Sequence, residues 1–445
     1  MKFFSKRYWQ IYLTGLCILL LFGLRNAGAQ SLRAVLDMAL ANNPSIRSVG
    51  EEVNQAEAEA ASFQKKTLPT LDFNASYKYV TDVPVLDFAK ELPPILSGFP
   101  VQTMGVYNNY DFGLTLNYVL FAGFAEKNAG KIRMRQYDLA GSKLKKTKKE
   151  IALQVIAAYR SAQSFQLEIE SLQAGKQRVN NQLKRVRSAV RQGMALALDT
   201  LSLSLARMEY EQKIIDAEGR MQNALQQLKN LTASERPILV ESFTLSAVST
   251  GIPDLSLQQQ LDIQMLQLQR RMLELDSDIQ RSGFYPKVAL YASVHYGLPG
   301  LDFIQKEWMM FGVAGVGLQW NLFRWGGDSK AVEARSAAVR KINFQRQAAE
   351  EQIRLRYDQA IRDFKTLQDQ SDVLTKSVQL ARQKMNITKS RFEQGEASVT
   401  DYNNANLQLT EMELNRKRHL IRMLIKINEI EYISGKAISD WSIEQ

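Results

Sequence analysis

The chain has 445 residues, 45% of them hydrophobic and 23% charged, with a formal net charge of +11, two histidines and one cysteine. A lone thiol excludes a disulfide scaffold and a multi-thiolate metal site. The basic excess does not read as a nucleic-acid surface, because acids and bases are interspersed along helical faces, as in Lys143 to Glu150 and Arg346 to Arg356.

Residues 1–29 read as a secretory signal peptide. Lys2, Lys6 and Arg7 open it, Tyr8 to Leu24 is mostly apolar, and Ala27-Gly28-Ala29 supplies a small-residue cleavage site. Cleavage before Gln30 removes Lys2, Lys6, Arg7, Arg25 and the one cysteine, Cys17, which takes the net charge from +11 to +7. Ser31 is placed to cap a helix to about Ala41. Asn42-Asn43-Pro44 ends that helix and opens another, which Pro69 stops after about Lys66.

Strands follow at about 71–80 and 111–120. Leu71, Phe73, Ala75, Tyr77 and Tyr79 alternate with polar residues, as do Phe112, Leu114, Leu116 and Tyr118. No proline occurs from 101 to 236, so a very long helix is permitted from about 125. Ile151, Val155, Ala158 and Ala162 give it a narrow apolar stripe. At 1.5 Å per residue it spans on the order of 100 Å. Gly193 interrupts the arm and a second helix returns, so Arg191 to Ala195 is the tip of a hairpin.

A joint at 236–255 leads to a second round of the same elements. A helix is expected over about 256–282, strands at about 287–297 and 311–321, and a second proline-free arm with its tip at Glu393 to Ala397 around Gly395. That round ends near 435 and leaves a tail at 436–445. The two rounds align residue by residue. Leu68 to Tyr79 matches Tyr285 to Tyr296 at an offset of 217, and Leu116 to Phe121 matches Leu318 to Phe323 at 202. Ser188, Gln192, Gly193 and Asp199 match Ser390, Gln394, Gly395 and Asp401, again at 202. One structural unit is therefore used twice, with a loop longer by 15 residues in the first copy.

The strand lengths suit a tilted crossing of a bilayer. Tyr79, Tyr118, Tyr296 and Trp320 suit its interfaces. Four strands cannot close a barrel alone, since the smallest transmembrane barrels have about eight. Open edges are not tolerated in lipid. Two, three or four copies of the chain would supply enough strands, and composition does not choose among them.

In this arrangement the chain resembles the TolC-like outer-membrane efflux proteins. The residues that carry the likeness are Leu36-Asp37-Met38-Ala39-Leu40-Ala41-Asn42-Asn43-Pro44, the joins Leu68-Pro69 and Tyr285-Pro286, and the joins Leu120-Phe121 and Leu322-Phe323 with Gly326-Gly327. Arg391-Phe392-Glu393-Gln394-Gly395 with Ser398 and Asp401 completes the set, which covers essentially all of 31–435. The resemblance implies a mostly α chain with a membrane β portion. It implies a two-repeat protomer that gives four strands to a trimeric 12-stranded β-barrel in outer-membrane lipid. Long helical hairpins would form a periplasmic α-barrel. It further implies that a periplasmic adaptor docks at the tips, Gln192, Gly193, Gln394 and Gly395, and links the duct to an inner-membrane pump.

In the resembling channels two aspartates, six and nine positions after the second tip glycine, line the periplasmic gate. Here these positions are Asp401 and Asn404, and Asp199 stands six after Gly193. The latch arginine of those channels is replaced by Ala397. One charged ring and a weaker latch are the expectation. The competing reading is a periplasmic coiled-coil scaffold or adaptor without a pore, which explains the arms but not the strands.

No catalytic constellation, cofactor loop, metal cluster or nucleic-acid surface is legible. His295 reads as a lumen-facing polar residue on a strand, and His419 lies on a late helix. Trp308-Met309-Met310-Phe311 reads as a strand end.

Overall fold

The computed structural model describes residues 29–86, 102–243, 251–302, 304 and 306–443. Residues 1–28 of the secretory signal with Cys17, the prolines at 93, 94 and 100, residues 244–250 of the joint and 444–445 of the tail lie outside the described residues. The elements are α1 (Leu32–Asn42), α2 (Pro44–Lys66), β1 (Thr70–Tyr79), β2 (Val85–Leu86), β3 (Gln102–Thr103), β4 (Asn108–Ala122), α3 (Ala125–Arg191) and α4 (Ala197–Thr232). The second round holds α5 (Leu261–Arg281), β5 (Lys287–Leu298), β6 (Met309–Gln319), α6 (Gly327–Glu393) and α7 (Val399–Ser434). The short pair β2 and β3 lies inside the longer loop of the first round. Two compact units result. One takes the chain up to Gly50, Lys143–Ile263 and the chain from Ala349; the other takes Glu51–Ser142 and Gln264–Ala348.

The second unit carries one antiparallel sheet in the order β1-β4-β5-β6. Its register places the apolar set of every strand on a single face. Leu71, Leu116, Ala292 and Ala314 form one cross-strand row, and Phe73, Leu114, Val294 and Gly312 the next on that face. The opposite face carries rows such as Asp72, Thr115, Ser293 and Val313. A bulge between Val119 and Phe121 ends the regular register of β4. The apolar face stays exposed: Phe73 and Leu318 keep about two thirds of their surface. Among the described residues no strand pairs with the outer edge of β1 or of β6. Among the described residues no helix is long and apolar enough to cross a membrane.

Aromatic side chains gather at both ends of the sheet's apolar face. Trp308 stacks on Tyr110 and Tyr296 at centroid distances of 5.7 and 5.0 Å, and Tyr77 meets Tyr110 at 5.0 Å. At the helix end Phe121 meets Phe124 edge-on at 5.3 Å, and Phe323 meets Trp325 at 4.8 Å. Such paired girdles mark the two interfaces of a bilayer.

The internal repeat persists in three dimensions. Arg133 pairs with Glu59 at 3.9 Å, and its counterpart Arg335 pairs with Asp276 at 2.9 Å. The turn from strand into long helix uses two consecutive left-handed residues in each copy. These are Gly123 and Phe124 (φ 61° and 66°) in the first, Trp325 and Gly326 (φ 54° and 76°) in the second. A left-handed aromatic residue costs roughly 1–2 kcal/mol, so the packing of the elbow must over-determine it.

The first unit is helical. Ser31 caps α1, its side chain accepting from the Ala34 N–H at 3.2 Å. Leu32, Val35, Leu36 and Ala39 of α1 pack with Ile151, Val155, Ile156 and Tyr159 of α3 and with Leu228 of α4. Ile238 of the joint and Trp441 and Ile443 of the tail enter the same core. The Tyr159 hydroxyl donates to the Gln30 carbonyl at 2.7 Å and accepts from the Glu241 N–H at 3.0 Å. Glu431, fully buried, accepts from the Ser442 N–H and hydroxyl at 3.0 and 2.8 Å, which fastens the tail.

A continuous helix over 256–282 does not form. A 3₁₀ turn at Leu257–Gln259 precedes α5, and Gln260 between them is extended. The cause is docking to the end of α7: the Ser256 N–H donates to the Ser434 carbonyl at 3.0 Å, and the Gln260 side chain donates to the Ile433 carbonyl.

The two faces of the sheet give a direct test. Val294→Arg puts a charge on the apolar face and is expected to cost about 2–4 kcal/mol in a bilayer, whereas Ser293→Arg next to it is tolerated. Folded yield in lipid vesicles measures both; equal yields would show that the faces are not differentiated by lipid.

Candidate functional site: helical tips and polar sheet face

Both tips are built alike. Gly193 and Gly395 are left-handed, at φ 72° and 79°. At the first, the Gly193 N–H donates to the Val190 carbonyl at 3.0 Å and the Met194 N–H to Ala189 at 2.8 Å. At the second, Gly395 donates to Phe392 at 3.1 Å and Glu396 to Arg391 at 2.9 Å. This pair of bonds closes a helix around a left-handed glycine. No atom lies within 4 Å of where a Cβ would stand on either glycine, so conformation, not space, requires glycine here. Gln192, Gly193, Gln394 and Gly395 are all exposed.

The return helices start on the two aspartates. Ser398 accepts from the Asp401 N–H at 3.1 Å, while Asp401 accepts from the Ser398 N–H at 3.0 Å and hydroxyl at 2.7 Å. This reciprocal pair satisfies two otherwise orphaned donors of α7. The Ser398 hydroxyl, then its N–H, hold the Asp401 carboxyl below its ordinary range. Asp199 accepts from the Leu196 N–H at 3.3 Å, but leucine returns no hydroxyl, so the first tip has half of the arrangement. Asn404 is exposed on α7, three residues beyond Asp401.

One apolar cluster joins the two tips within the chain. Val186, Val190 and Ala195 of the first hairpin share it with Phe392, Val399 and Tyr402 of the second. Arg185 forms an ion pair with Glu393 across the hairpins. Both side chains are largely exposed, which limits such a pair to about 0–1 kcal/mol. A stronger tie lies behind the tips. Arg178 donates to the Asn406 side-chain oxygen Oδ1 and to the Thr410 hydroxyl, the latter at 2.7 Å. The Asn406 amide donates to the Gly175 carbonyl at 3.2 Å and to the Tyr210 hydroxyl at 3.1 Å. Asn406 and Thr410 are buried. A Cβ on Gly175 would stand 2.6 Å from the Tyr210 ring and 2.8 Å from Thr410. Glycine is what lets α3 approach this group. Farther along, buried Glu168 bridges Arg220 of α4 at 3.0 Å and Arg418 of α7 at 2.5 Å.

On the polar face of the sheet His295 lies 3.0 Å from Asp111 and stacks on Phe311 at 5.2 Å. It covers Gly113, where a Cβ would meet the ring at 2.9 Å; Tyr291 covers Gly315 in the same way, at 2.5 Å. Asp111 and His295 are 184 residues apart, so no local motif joins them. Among the described residues no group of three or more His, Cys, Asp or Glu could hold a metal ion.

The outer membrane efflux protein family model matches residues 35–234 and 252–420. No curated protein matches the chain. Among solved structures it is similar to the CusC channel, with a TM-score of 0.78 at 12% identity over 92% of this chain and 93% of that one. It is also similar to the Campylobacter jejuni outer membrane channel CmeC, with a TM-score of 0.75 at 18% identity over 91% and 85%. The Vibrio cholerae outer membrane protein VceC gives 0.73 at 17% over 91% and 96%.

Three variants test the tips and the contact behind them. Gly175→Ala is expected to cost about 1–3 kcal/mol by overpacking, read as a lower thermal midpoint, while Gly219→Ala, with nothing within 4 Å, is neutral or stabilising. Ser398→Ala returns the Asp401 carboxyl toward its ordinary range. A carboxyl held low in the folded state stabilises above its unfolded pKa, and that contribution is lost as pH falls through the folded value. Hydrogen exchange at the start of α7, corrected for intrinsic rate, should therefore gain protection with rising pH through the acid range in the parent and lose that dependence in the variant. Identical profiles would remove Asp401 from the cap.

Proposed function

Because the chain belongs to the outer membrane efflux protein family, and is an outer-membrane channel of a multi-component efflux system that reaches into the periplasm, we propose that three copies assemble into one duct. The observation that carries this reading is the open four-stranded sheet, with one apolar face, one polar face and two free edges. In lipid every strand edge must be paired. Joining β1 of one copy to β6 of the next satisfies both edges, and three copies give a closed barrel of twelve strands. The apolar face then meets outer-membrane lipid, and the polar face with Asp111 and His295 lines the lumen. The hairpins continue the duct as a periplasmic α-barrel. A pore-less periplasmic scaffold leaves the exposed apolar face without a solvent that suits it.

The tips, with Gln192, Gly193, Gln394 and Gly395, dock a periplasmic adaptor that links the duct to an inner-membrane pump. The chain itself is a passive conduit without catalytic chemistry or cofactor, and the partner supplies the energy. Asp401, with Asn404 one turn on and Asp199 on the first tip, forms the periplasmic gate. Three copies of Asp401 make one ring of carboxylates, which attracts cations.

The mass of the detergent-solubilised complex is expected to be that of three chains; a stable monomer would overturn the assembly. In planar bilayers Asp401→Asn should weaken cation preference and Asn404→Asp should strengthen it. Unchanged selectivity in both would place the constriction elsewhere and leave Asp401 as a helix-capping acid.

A further inference from the structure

The sheet of the second unit differs in charge between its two ends. Seven residues lie immediately outside each strand where it meets a helix: 63–69 before β1, 123–129 after β4, 280–286 before β5 and 320–326 after β6. These windows hold five bases, Lys65, Lys66, Lys127, Arg281 and Arg324, and one acid, Glu126, a balance of +4. At the opposite end the described residues of the connections, 80–86, 102–107, 299–302, 304 and 306–308, hold the acids Asp82, Asp302 and Glu307 and the base Lys306, a balance of −2. Helix dipoles do not account for the basic end. They favour bases at the ends of α2 and α5, where Lys65, Lys66 and Arg281 stand, but disfavour them at or just before the starts of α3 and α6, where Lys127 and Arg324 stand. Arg281 pairs with Asp278 at 3.5 Å and Arg324 with Asp328 at 3.1 Å. Among the described residues no carboxylate pairs with Lys65, Lys66 or Lys127, and all three are exposed.

The same windows carry an aromatic belt. Phe124, Phe284, Tyr285, Phe323 and Trp325 each keep about half or more of their surface, and Trp325 keeps 89%. The Trp320 indole N–H donates to the Phe284 carbonyl at 3.1 Å, so two of the crossings between helix and sheet are tied at one level. Trp325 is left-handed, at φ 54°, a conformation unfavourable for a bulky residue, and it holds the ring almost bare. Lys66 stands two residues from the exposed Leu68, Lys127 three from Phe124 and Arg281 three from Phe284, and Arg324 lies between Phe323 and Trp325. Every crossing thus sets a base beside a large exposed apolar group. That pairing suits the level where acyl chains give way to headgroups, with the apolar body on one side and the cation on the other.

We propose that this collar binds the headgroups of anionic phospholipids, phosphatidylglycerol being the simplest, in the leaflet that faces the periplasm. The proposal rests on the reading that the apolar face of the sheet meets lipid, and it adds which lipid gathers at the helical end. The helices leave the sheet at this end, toward the periplasm, so the basic windows meet the periplasmic leaflet and the acidic connections the opposite one. Phosphate oxygens accept from ammonium and guanidinium donors. A cluster of such bases draws a net-negative headgroup more strongly than a zwitterionic one. The bases and the rings coincide in level, which favours a lipid headgroup over a soluble anion: a soluble anion needs the bases but not the rings.

Lipid retention tests the collar. The parent chain is reconstituted into vesicles of phosphatidylethanolamine and phosphatidylglycerol, re-extracted in mild detergent, and the lipids that stay bound are quantified. Phosphatidylglycerol is expected to be enriched about fivefold over its share of the vesicle, the preference that one well-placed base supplies, and the enrichment should fall at high salt. Lys65→Gln, Lys66→Gln and Lys127→Gln together should abolish it with insertion unchanged, and Lys127→Gln alone should reduce it. Lys306→Gln at the other end of the sheet should leave it as it is. An inserted parent chain with no preference, or a preference that survives the triple change, would overturn the collar and leave the membrane reading standing. Equal loss in Lys306→Gln would show that net charge alone is read, and would also overturn it. Preferential retention of lipopolysaccharide, offered in the same vesicles, would assign the bases to a different anionic lipid and against the proposal. A parent chain that does not enter the vesicles would overturn the membrane reading and the collar with it.

Discussion

The free edges of a four-stranded sheet constrain everything else in this protein. Each edge presents a row of N–H and C=O groups. In water such a row is solvated; in hydrocarbon each unpaired group costs several kcal/mol. The register of β1, β4, β5 and β6 aligns the apolar sets of all four strands on one face, which suits lipid and not water. The chain thus has a surface made for the membrane and edges forbidden there. Self-association is the resolution most consistent with both.

Duplication solves a geometric problem at the elbows. A strand running along one direction must become a helix about 100 Å long within a few residues. Both copies do this with two consecutive left-handed residues, but the glycine is second in one copy and first in the other. The backbone path is shared while the residue identities have been exchanged. Each copy keeps one aromatic in the strained position, beside another aromatic on the apolar face. The duplicated ion pairs, Arg133 with Glu59 and Arg335 with Asp276, preserve the seating of the short helices against the long ones.

The helical hairpins are held to one another by polar groups as well as apolar ones. Arg178, Asn406, Thr410 and Tyr210 form a buried network in which each member has a partner. Such networks are costly if half satisfied and specify one arrangement when complete. An apolar stripe tolerates sliding by a turn, whereas a guanidinium matched to one amide and one hydroxyl does not. The network therefore sets the register between hairpins and, through it, the relative height of Gly193 and Gly395. The reciprocal bonds of Ser398 and Asp401 show why the gating role proposed for this carboxylate is hard to recognise in isolation: the same group is an ordinary helix cap.

Much of this was legible in the order of residues. The repeat, the proline-free arms, the alternating strands and the tip glycines all depend on local rules: proline breaks helices, pleated strands alternate, and a left-handed helix end selects glycine. The separation of an apolar row from a polar row on each strand followed from period two alone. What the tertiary structure decided is long-range. Asp111 and His295 are 184 residues apart and meet because β4 pairs with β5. Gly175 looks like a weak point in α3 until Tyr210 and Thr410 are seen against it. The helix expected from Ser256 is broken because the end of α7 competes for its backbone. The exposed apolar residues of α4 and α6 show what periodicity leaves open, since it gives the faces of a helix but not which face a neighbour covers. Periodicity is a property of one element, while burial is a property of two, and only the folded chain supplies the second.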